Sequence, residues 1–264
     1  MSTSIPGRHF ARNLIQSKSL LFQLVKRDFQ QRYIGSAAGW VWSIIHPLVL
    51  WLSYVFIFQT MAINRTPNYA LVLFVGMLPW FLFSETVMRS SNSMLEHANL
   101  ITKTVFPSEI LPVSIFLSSL ASHVVVTVIA AVVAGIVVGN WSPTLLLLPV
   151  WALLGALFSI GVSWIAAGLQ VYLRDTAQVV TVMMTFWFWL TPIFLPEASY
   201  EKWGHWILRW NPMAYFVRAY RYMLLGNQGH PLYDIAGAAG FALAAFVLGG
   251  LFFRQMKKGF ADVL

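Results

Sequence analysis

The chain has 264 residues, of which 58% are hydrophobic and only 10% are charged. A soluble domain carries about 25% charged residues, so this composition excludes an ordinary soluble protein and indicates one that lies in a membrane. The absence of cysteine excludes disulfides and thiolate metal sites. The formal charge of +8 has no soluble basic domain to carry it, so we expect it to reflect membrane topology and not nucleic-acid binding.

The first predicted element is an amphipathic helix over residues 17–33. Leu21, Leu24 and Val25 recur at helical spacing, while basic residues and glutamines form the opposite arc. This pattern predicts a helix that lies in the cytoplasmic interface of the membrane. It serves either as a simple lipid anchor or as a helix that also contacts a partner subunit.

The loop at 34–39 joins this helix to the first apolar stretch. Gly35 permits a sharp turn, and Ser36 is a candidate N-cap for the helix that follows. A helix N-terminus beside Arg32 and Tyr33 at headgroup depth suits a lipid-linked phosphate. The alternative is an ordinary helix start after a glycine.

Six apolar stretches take up most of the chain. About 20 apolar residues are needed to cross the ~30 Å hydrocarbon layer, and such a segment must be helical because lipid cannot satisfy the backbone. The sequence therefore predicts an all-α integral membrane protein with one transmembrane domain over 1–264. Its predicted spans are residues 37–62, 69–88, 113–139, 144–173, 179–195 and 235–253.

The distribution of basic residues predicts the orientation of these spans. With six spans both ends of the chain lie on one side, and that side holds twelve of the 17 lysines and arginines against five on the other. Cytoplasmic loops carry the excess of basic residues. We therefore expect both termini in the cytoplasm.

Residues 93–105, between the second and third spans, predict a short cytoplasmic helix. Its apolar face includes Met94 and Ile101, while Glu96, Asn99 and Lys103 lie largely off that face. A proline at 107 stops the helix. The polar side is offered either to a partner or to solvent alone.

The segment between the fifth and sixth spans combines two patterns. Residues 196–211 are polar and contain three tryptophans, which are typical of a membrane interface. Residues 212–226 are apolar but too short to span, and they contain Arg218 and Arg221. Together they predict re-entrant or interfacial helices over 203–226 that form an outer gate.

Several kinds of chemistry have no support in the sequence. No Gly-x-x-x-x-Gly-Lys-Ser/Thr loop is present, so we expect this chain to bind no ATP and to depend on another polypeptide for energy. Glu85 is the one clear carboxylate within the spans, and its spacing to Arg89 favours a local ion pair over a proton relay. We expect no catalytic residues, metal or cofactor, and hence a transporter subunit and not an enzyme.

Aromatic residues make up 16% of the chain, more than an interfacial belt requires. Aromatic rings pack closely and offer weak stacking faces to the apolar C–H faces of sugars. We therefore predict an aromatic channel for a glycan. Its candidate residues are Trp40, Trp42, Trp51, Phe186, Trp187 and Trp189, with Tyr215 and Tyr222 at the outer gate.

The order of short motifs resembles one known family over nearly the whole chain. These motifs are Arg27-Asp28, Arg32-Tyr33, Trp40, Pro47, residues 76–80, 99–103, 106–107 and 110–112, Arg174-Asp175, Pro192, Asn211-Pro212 and 221–226. In this sequence and order they resemble the permeases of polysaccharide-exporting ATP-binding-cassette transporters.

The resemblance implies a homodimer that works with two copies of a separate ATPase, which holds the ATP and magnesium. It also implies a lipid-linked polysaccharide as the substrate, transport across the bacterial inner membrane and, for a capsule, a periplasmic export protein as a further partner. By position, residues 17–33 become the interface helix, residues 34–39 the lipid-headgroup gate and residues 203–226 the external gate. Residues 93–105 become the coupling helix, with contacts to the ATPase from Glu96, His97, Asn99 and Lys103.

Within the family the motifs look closest to the O-antigen and capsule exporters, and less close to those of teichoic acid. The alternative from another class is a permease that exports a small molecule or drug. A non-transport scaffold or lipid-modifying enzyme comes third.

Overall fold

The computed structural model describes residues 18–32, 39–60, 67–104, 106–139, 141, 143–194, 200, 202–226 and 231–264. The regular structure in these ranges is helical throughout and contains no strand. The helical class predicted from the apolar stretches is thereby confirmed for this part of the chain.

The helices follow one another with short connections. In chain order they are α1 (Lys18–Gln31), α2 (Trp42–Thr60), α3 (Tyr69–Glu96), α4 (Ala98–Lys103), α5 (Ile110–Val138), α6 (Leu148–Tyr172), α7 (Thr176–Leu190), α8 (Lys202–Trp210), α9 (Pro212–Leu225), α10 (Pro231–Met256) and α11 (Phe260–Val263). Short 3-10 turns lead into α2, α6 and α11, at Gly39–Val41, Pro143–Leu147 and Lys257–Gly259.

Five helical segments are long and apolar enough to cross a membrane: Gly39–Phe58, Tyr69–Glu96, Ile110–Val138, Pro143–Tyr172 and Leu232–Val263. The stretch predicted as the fifth span forms α7, whose 15 residues reach about 22 Å, short of the ~30 Å hydrocarbon layer. The helix ends early because Thr191 adopts extended backbone. The six-span count is therefore not confirmed and stays a prediction.

α3 is the central helix of the bundle. It packs against α5, α6, α7 and α9, and Leu73, Val75 and Met77 have no exposed surface. By contrast, none of the described side chains on α2 is buried within the single chain. The position of α3 fixes the side chains at its last turns, Glu85 and Arg89, against the neighbouring helices.

α6 and α10 form the closest helix pair. A Cβ atom on Gly249 would lie 2.1 Å from the carbonyl oxygen of Gly161, so the two backbones touch where neither residue has a side chain. Small residues allow such an approach in lipid, where packing replaces the hydrophobic effect as the source of association. Within this pair, α6 also packs against α3.

The structure corrects the boundary of the helix predicted over residues 93–105. α3 runs on to Glu96 because its apolar face continues to Met94, which is fully buried. His97 leaves the helical region, and α4 then covers only Ala98–Lys103. Val105 lies outside the described residues. The short helix that was expected therefore begins about one turn later than its sequence pattern indicates.

Two short helices, α8 and α9, occupy most of the segment predicted as 203–226. Asn211 separates them and caps α9, since its side-chain oxygen accepts a hydrogen bond from the Met213 backbone N–H at 3.0 Å. Pro212 follows at the first helical position, where its missing N–H costs nothing. The gating role of these helices stays a prediction.

Candidate functional site

Four charged side chains close a ring between the interface helix α1 and the last turns of α3. Arg32 Nη1 donates to Glu85 Oε1 at 2.5 Å, and Arg89 Nη2 donates to Asp28 Oδ1 at 2.5 Å. Asp28 Oδ2 lies 3.3 Å from Arg32, and Glu85 Oε1 lies 3.8 Å from Arg89. Each carboxylate thus contacts both arginines. We call Asp28, Arg32, Glu85 and Arg89 the charged ring.

A serine on α5 ties the ring to a third helix. Ser119 Oγ accepts a hydrogen bond from Arg32 Nη2 at 3.0 Å and donates one to Glu85 Oε1 at 3.0 Å. Although burial alone raises the pKa of Asp28, the Ser118 hydroxyl, Arg89 and Arg32 outweigh it and hold that pKa below its usual value. Asp28 therefore stays ionised at neutral pH.

The ring contains the residue that the sequence assigns to a lipid-linked phosphate. Arg32 is largely buried, with 14% of its side chain exposed, and its charge is already matched by two carboxylates. Tyr33, Gly35 and Ser36 lie outside the described residues. The predicted pair of Glu85 and Arg89 is present, but the sequence pattern did not indicate that α1 joins it.

A polar cavity of about 310 Å³ opens beside the ring, between α1, α3 and α5. Asp28 and Arg89 form part of its wall, together with Arg27, Asn92 and Glu96. Its volume lies at the lower end of the range for small-molecule sites, about 300–1,000 Å³. The cavity provides room for a polar group next to the ring.

The residues predicted to contact an ATPase lie around the break between α3 and α4. Glu96, Asn99 and Lys103 are exposed, and His97 is half-buried because its ring contacts the Ser93 carbonyl at 3.0 Å. Ile101, on the apolar side of α4, packs against a cluster of buried hydrophobic residues that includes Met94 and Phe260. A polar side is therefore available to a partner, and the docking role stays a prediction.

The C-terminal helix α11 packs against α4. Phe260 is fully buried against Tyr172 and Phe253. Lys257 Nζ donates to Glu109 Oε2 at 2.5 Å and anchors the turn before α11. Sequence reasoning missed this contact, since nothing in the pattern of residues 257–264 indicates where they pack.

Three of the eight aromatic residues predicted to line a channel make packing contacts and hydrogen bonds within the single chain. Trp51 donates from Nε1 to the Ala70 carbonyl at 2.6 Å, and Trp187 donates to Asn211 Oδ1 at 2.9 Å. Tyr215 is buried, and its hydroxyl donates to the Arg209 carbonyl at 2.8 Å. These bonds and contacts explain the three rings without a substrate.

The other candidate aromatics are more open. Tyr222 is half-buried, whereas four rings on the outer surfaces of α2 and α7 and the turn before α2 are more than half exposed in the single chain: Trp40, Trp42, Phe186 and Trp189. Phe186 and Trp189 are three residues apart and share a face of α7. Whether any of the eight rings lines a pathway stays a prediction.

A polar junction holds the end of α7 to α9. Asn211 Nδ2 donates to the Leu190 carbonyl and to Thr191 Oγ1, both at 3.2 Å. Arg221 donates to the carbonyls of Pro192 at 2.9 Å and Ile193 at 2.6 Å. These bonds satisfy the backbone that the early end of α7 leaves open, so α7 and α9 are fixed to each other.

The same arginine explains a glycine in α3. A Cβ atom on Gly76 would lie 2.9 Å from Arg221 Nη2, so the guanidinium occupies the space that any side chain would fill. The sequence shows Arg221 inside an apolar segment, which is the available signal for a functional or structural polar contact. It does not show which backbone groups the arginine meets.

A second polar contact joins α9 to α5. His123 Nε2 lies 2.8 Å from the Tyr220 hydroxyl and 3.2 Å from the Thr127 hydroxyl. His123 lies within the third predicted span, and the sequence pattern does not indicate its partner 97 positions away. The two contacts together attach α9 to three other helices.

Five helical segments long enough to cross a membrane, joined by polar contacts inside the apolar region, indicate a multi-pass membrane protein. Residues 19–225 match the family model of the ABC-2 type transporters. Because that match covers most of the sequence, the chain belongs to the ABC-2 transporter family.

Individual relatives are similar over almost the full length. One, named O-antigen export system permease protein RfbA of Myxococcus xanthus, is 29% identical over 255 residues, covering 95% of this chain and 97% of the relative. Two proteins of the same name from Klebsiella pneumoniae are 30% identical over 250 residues, covering 93% of this chain and 95% of each relative. The resemblance proposed from the motifs is thereby confirmed at family level.

Proposed function

We propose that this chain is the channel-forming membrane subunit of an ATP-driven exporter. Its substrate is a polysaccharide of the O-antigen or capsule type, attached to a lipid carrier, that crosses the inner membrane from the cytoplasm. This proposal rests on the relative named O-antigen export system permease protein RfbA, to which the chain is 29% identical over 95% of its length.

The energy source is a separate ATPase, present in two copies and holding the ATP and magnesium. Membership in the ABC-2 family supports such a partner, and the chain itself has no phosphate-binding loop. The exposed Glu96, Asn99 and Lys103 around α4 form a polar surface suited to docking. In this proposal they and His97 pass movement from the ATPase to the buried helix α3.

The working unit is a homodimer, with two copies facing each other across a two-fold axis. Support comes from α2 and α7, whose apolar and aromatic surfaces find little cover within one chain. Paired in this way, the exposed rings at Trp42, Phe186 and Trp189 would line a shared pathway with weak stacking faces for sugars.

Substrate loading takes place at the cytoplasmic end. Arg32 with Tyr33, Gly35 and Ser36 receives the lipid-linked phosphate, and the polymer leaves past α8 and α9 on the far side. Both ends of the chain then lie in the cytoplasm. For a capsule substrate, a periplasmic export protein receives the polymer.

The test is reconstitution of the chain with its ATPase in lipid vesicles. A fluorescently labelled lipid-linked O-polysaccharide is supplied on the ATPase side, and its arrival inside the vesicle is followed by protection from a glycosidase. We expect protection that requires ATP and is absent when the ATPase carries a substitution that abolishes hydrolysis.

The small-molecule alternative gives a different result in the same vesicles. Glycan would stay accessible to the glycosidase with ATP present, while a hydrophobic dye or drug would be moved. That outcome would contradict the polysaccharide proposal.

A further inference from the structure

The two arginines of the charged ring already form an oxyanion site. Each guanidinium meets both carboxylates, with contacts from 2.5 Å to 3.8 Å. A guanidinium binds carboxylate and phosphate with the same planar fork of N–H groups. The site between Arg32 and Arg89 is therefore chemically suited to phosphate, and in this structure the chain's own oxyanions fill it.

The two carboxylates are not held equally. Asp28 contacts both arginines within hydrogen-bond distance or close to it, and 22% of its side chain is exposed. Glu85 is 39% exposed, and its 3.8 Å contact with Arg89 is too long for a hydrogen bond. Arg89 Nη1 is buried and has no hydrogen-bond partner within the described part of the chain. One donor of the ring is thus left for another acceptor.

We propose that Glu85 holds, in the empty transporter, the place that a phosphate group of the substrate takes between Arg32 and Arg89. This inference rests on the proposed phosphate loading at Arg32 and extends it. Arg89 becomes a second phosphate ligand, and Glu85 becomes the internal competitor that the substrate displaces.

The cavity beside the ring gives the incoming group space. It borders the ring at Arg89 and Asp28, so the incoming group reaches the ring from the Arg89 side, and its volume of about 310 Å³ exceeds what a phosphate group alone requires. Glu85 leaves by rotating its exposed side chain, while Asp28 keeps α1 attached to α3. Loading therefore exchanges the contacts of Glu85 with Arg32, Arg89 and Ser119 for those of the phosphate, while the contacts of Asp28 keep the interface helix in position.

The exchange also accounts for selectivity. With two arginines and two carboxylates the ring has a formal charge of zero, so free phosphate in the cytoplasm gains little by entering it. A phosphate fixed to a membrane lipid arrives at a high effective concentration and competes better. The charged ring accordingly favours lipid-linked anions over soluble ones.

The test uses the full chain in complex with its ATPase in nanodiscs, with farnesyl diphosphate as the probe and its Kd measured by titration. Glu85→Gln removes the competitor and should lower the Kd roughly tenfold, as loss of a charge-assisted contact predicts. Arg32→Gln and Arg89→Gln should each raise it roughly tenfold. Asp175→Asn is the matched control, because it removes an exposed carboxylate at the start of α7 that caps nothing, and its Kd should stay unchanged.

Glu85→Asp is a second variant that tests the same role of Glu85 if Glu85→Gln fails to fold. It keeps the charge but shortens the side chain, so it should lower the Kd only two- to threefold. Inorganic pyrophosphate should show the same order of variants at a weaker Kd, since the site recognises phosphate.

Two results overturn the inference in distinguishable ways. If Arg32→Gln weakens binding but both Glu85 variants bind as the unaltered protein does, the phosphate site stands and Glu85 is no competitor. If all ring variants bind farnesyl diphosphate equally, or if farnesol without phosphate binds as tightly, the loading site proposed at Arg32 fails together with the inference.

Discussion

Neighbouring aromatic residues on α7 have opposite surroundings. Trp187 packs among Trp80, Phe83 and Phe158 and donates to Asn211. Trp189, two residues on, is 53% exposed. Residues two apart on a helix point about 200° apart, so only one of the pair can face the interior of the chain. The composition shows an excess of aromatic residues. The helix period then decides which of them pack in the interior and which lie on the exposed surface.

Substitution by leucine should separate these two uses. Trp187→Leu leaves space in the core and removes a hydrogen bond, so it should lower the free energy of unfolding by about 2–4 kcal/mol. Trp189→Leu removes the contact of a half-exposed ring with Phe194 and breaks no hydrogen bond in the described part of the chain, so it should cost less stability than Trp187→Leu, and it should lower polysaccharide export if the ring faces the pathway. Thermal unfolding of the detergent-solubilised protein and the vesicle export assay measure the two effects. Equal stability of both variants would contradict the assignment of Trp187 to the core.

Glycines set how closely two helices can approach, because they have no side chain. Gly161 on α6 and Gly249 on α10 meet backbone to backbone, whereas Gly240 on α10 has open space around its Cα. All three glycines sit in apolar helical sequence and look alike in a hydropathy pattern. The structure distinguishes them because only the first two lie at the point where the helices cross.

This contrast provides a matched pair of substitutions. Gly249→Ala places a methyl group against the Gly161 carbonyl and should destabilise the protein by about 1–3 kcal/mol through overpacking. Gly240→Ala meets nothing and should be neutral or slightly stabilising, since alanine favours helix. The midpoint of thermal unfolding in detergent reports both. A Gly249→Ala protein as stable as its Gly240→Ala counterpart would mean that α6 and α10 do not touch there.

α4 is too short to fold alone, so its position depends on its neighbours. Its six residues pack between the end of α3 and α11, which leaves Asn99 and Lys103 exposed. Because α3 is buried along most of its length, a force applied at α4 reaches the centre of the bundle. This continuity is the physical basis for expecting α4 to couple an ATPase to the spans.

Reversing the charges around α4 should uncouple the two subunits. In the double variant Glu96→Lys with Lys103→Glu, ATP hydrolysis should continue while polysaccharide export falls severalfold, because complementary charges set docking geometry. Lys258→Glu with Asp262→Lys is the control, an exposed charge pair near α11 that should leave export intact. Normal export by an assembled complex of the first variant would place the docking surface elsewhere.

Across the whole molecule, the sequence predicts segments better than it predicts their partners. The sequence pattern located the helix α1 and five of the six predicted spans, because lipid forces an apolar segment of that length to be helical. It did not predict that Gly76, Pro192, Asn211 and Arg221 converge, since those contacts depend on tertiary packing. The charged ring was missed for the same reason: Asp28 and Glu85 are far apart in sequence and share the two arginines only when α1 packs on α5, beside α3.

At the scale of the whole molecule, the number of membrane crossings depends on α7. α7 is about 22 Å long, yet its end is bonded to α9 and surrounded by aromatic residues. If α7 crosses the membrane together with the residues that follow it, α1 and α11 share a side. If α7 does not cross, the five longer segments place α1 and α11 on opposite sides.

Single cysteines distinguish these topologies cleanly, because the chain has no cysteine of its own. Lys26→Cys on α1, Asp262→Cys on α11 and His205→Cys on α8 all replace exposed residues. In intact cells a membrane-impermeant maleimide should label His205→Cys alone, since the basic residues of the other two regions favour the cytoplasm. In inside-out vesicles it should label Lys26→Cys and Asp262→Cys and spare His205→Cys. Labelling of Lys26→Cys and Asp262→Cys from opposite faces would show an odd number of crossings, and the pathway past α8 and α9 would then have to be redrawn.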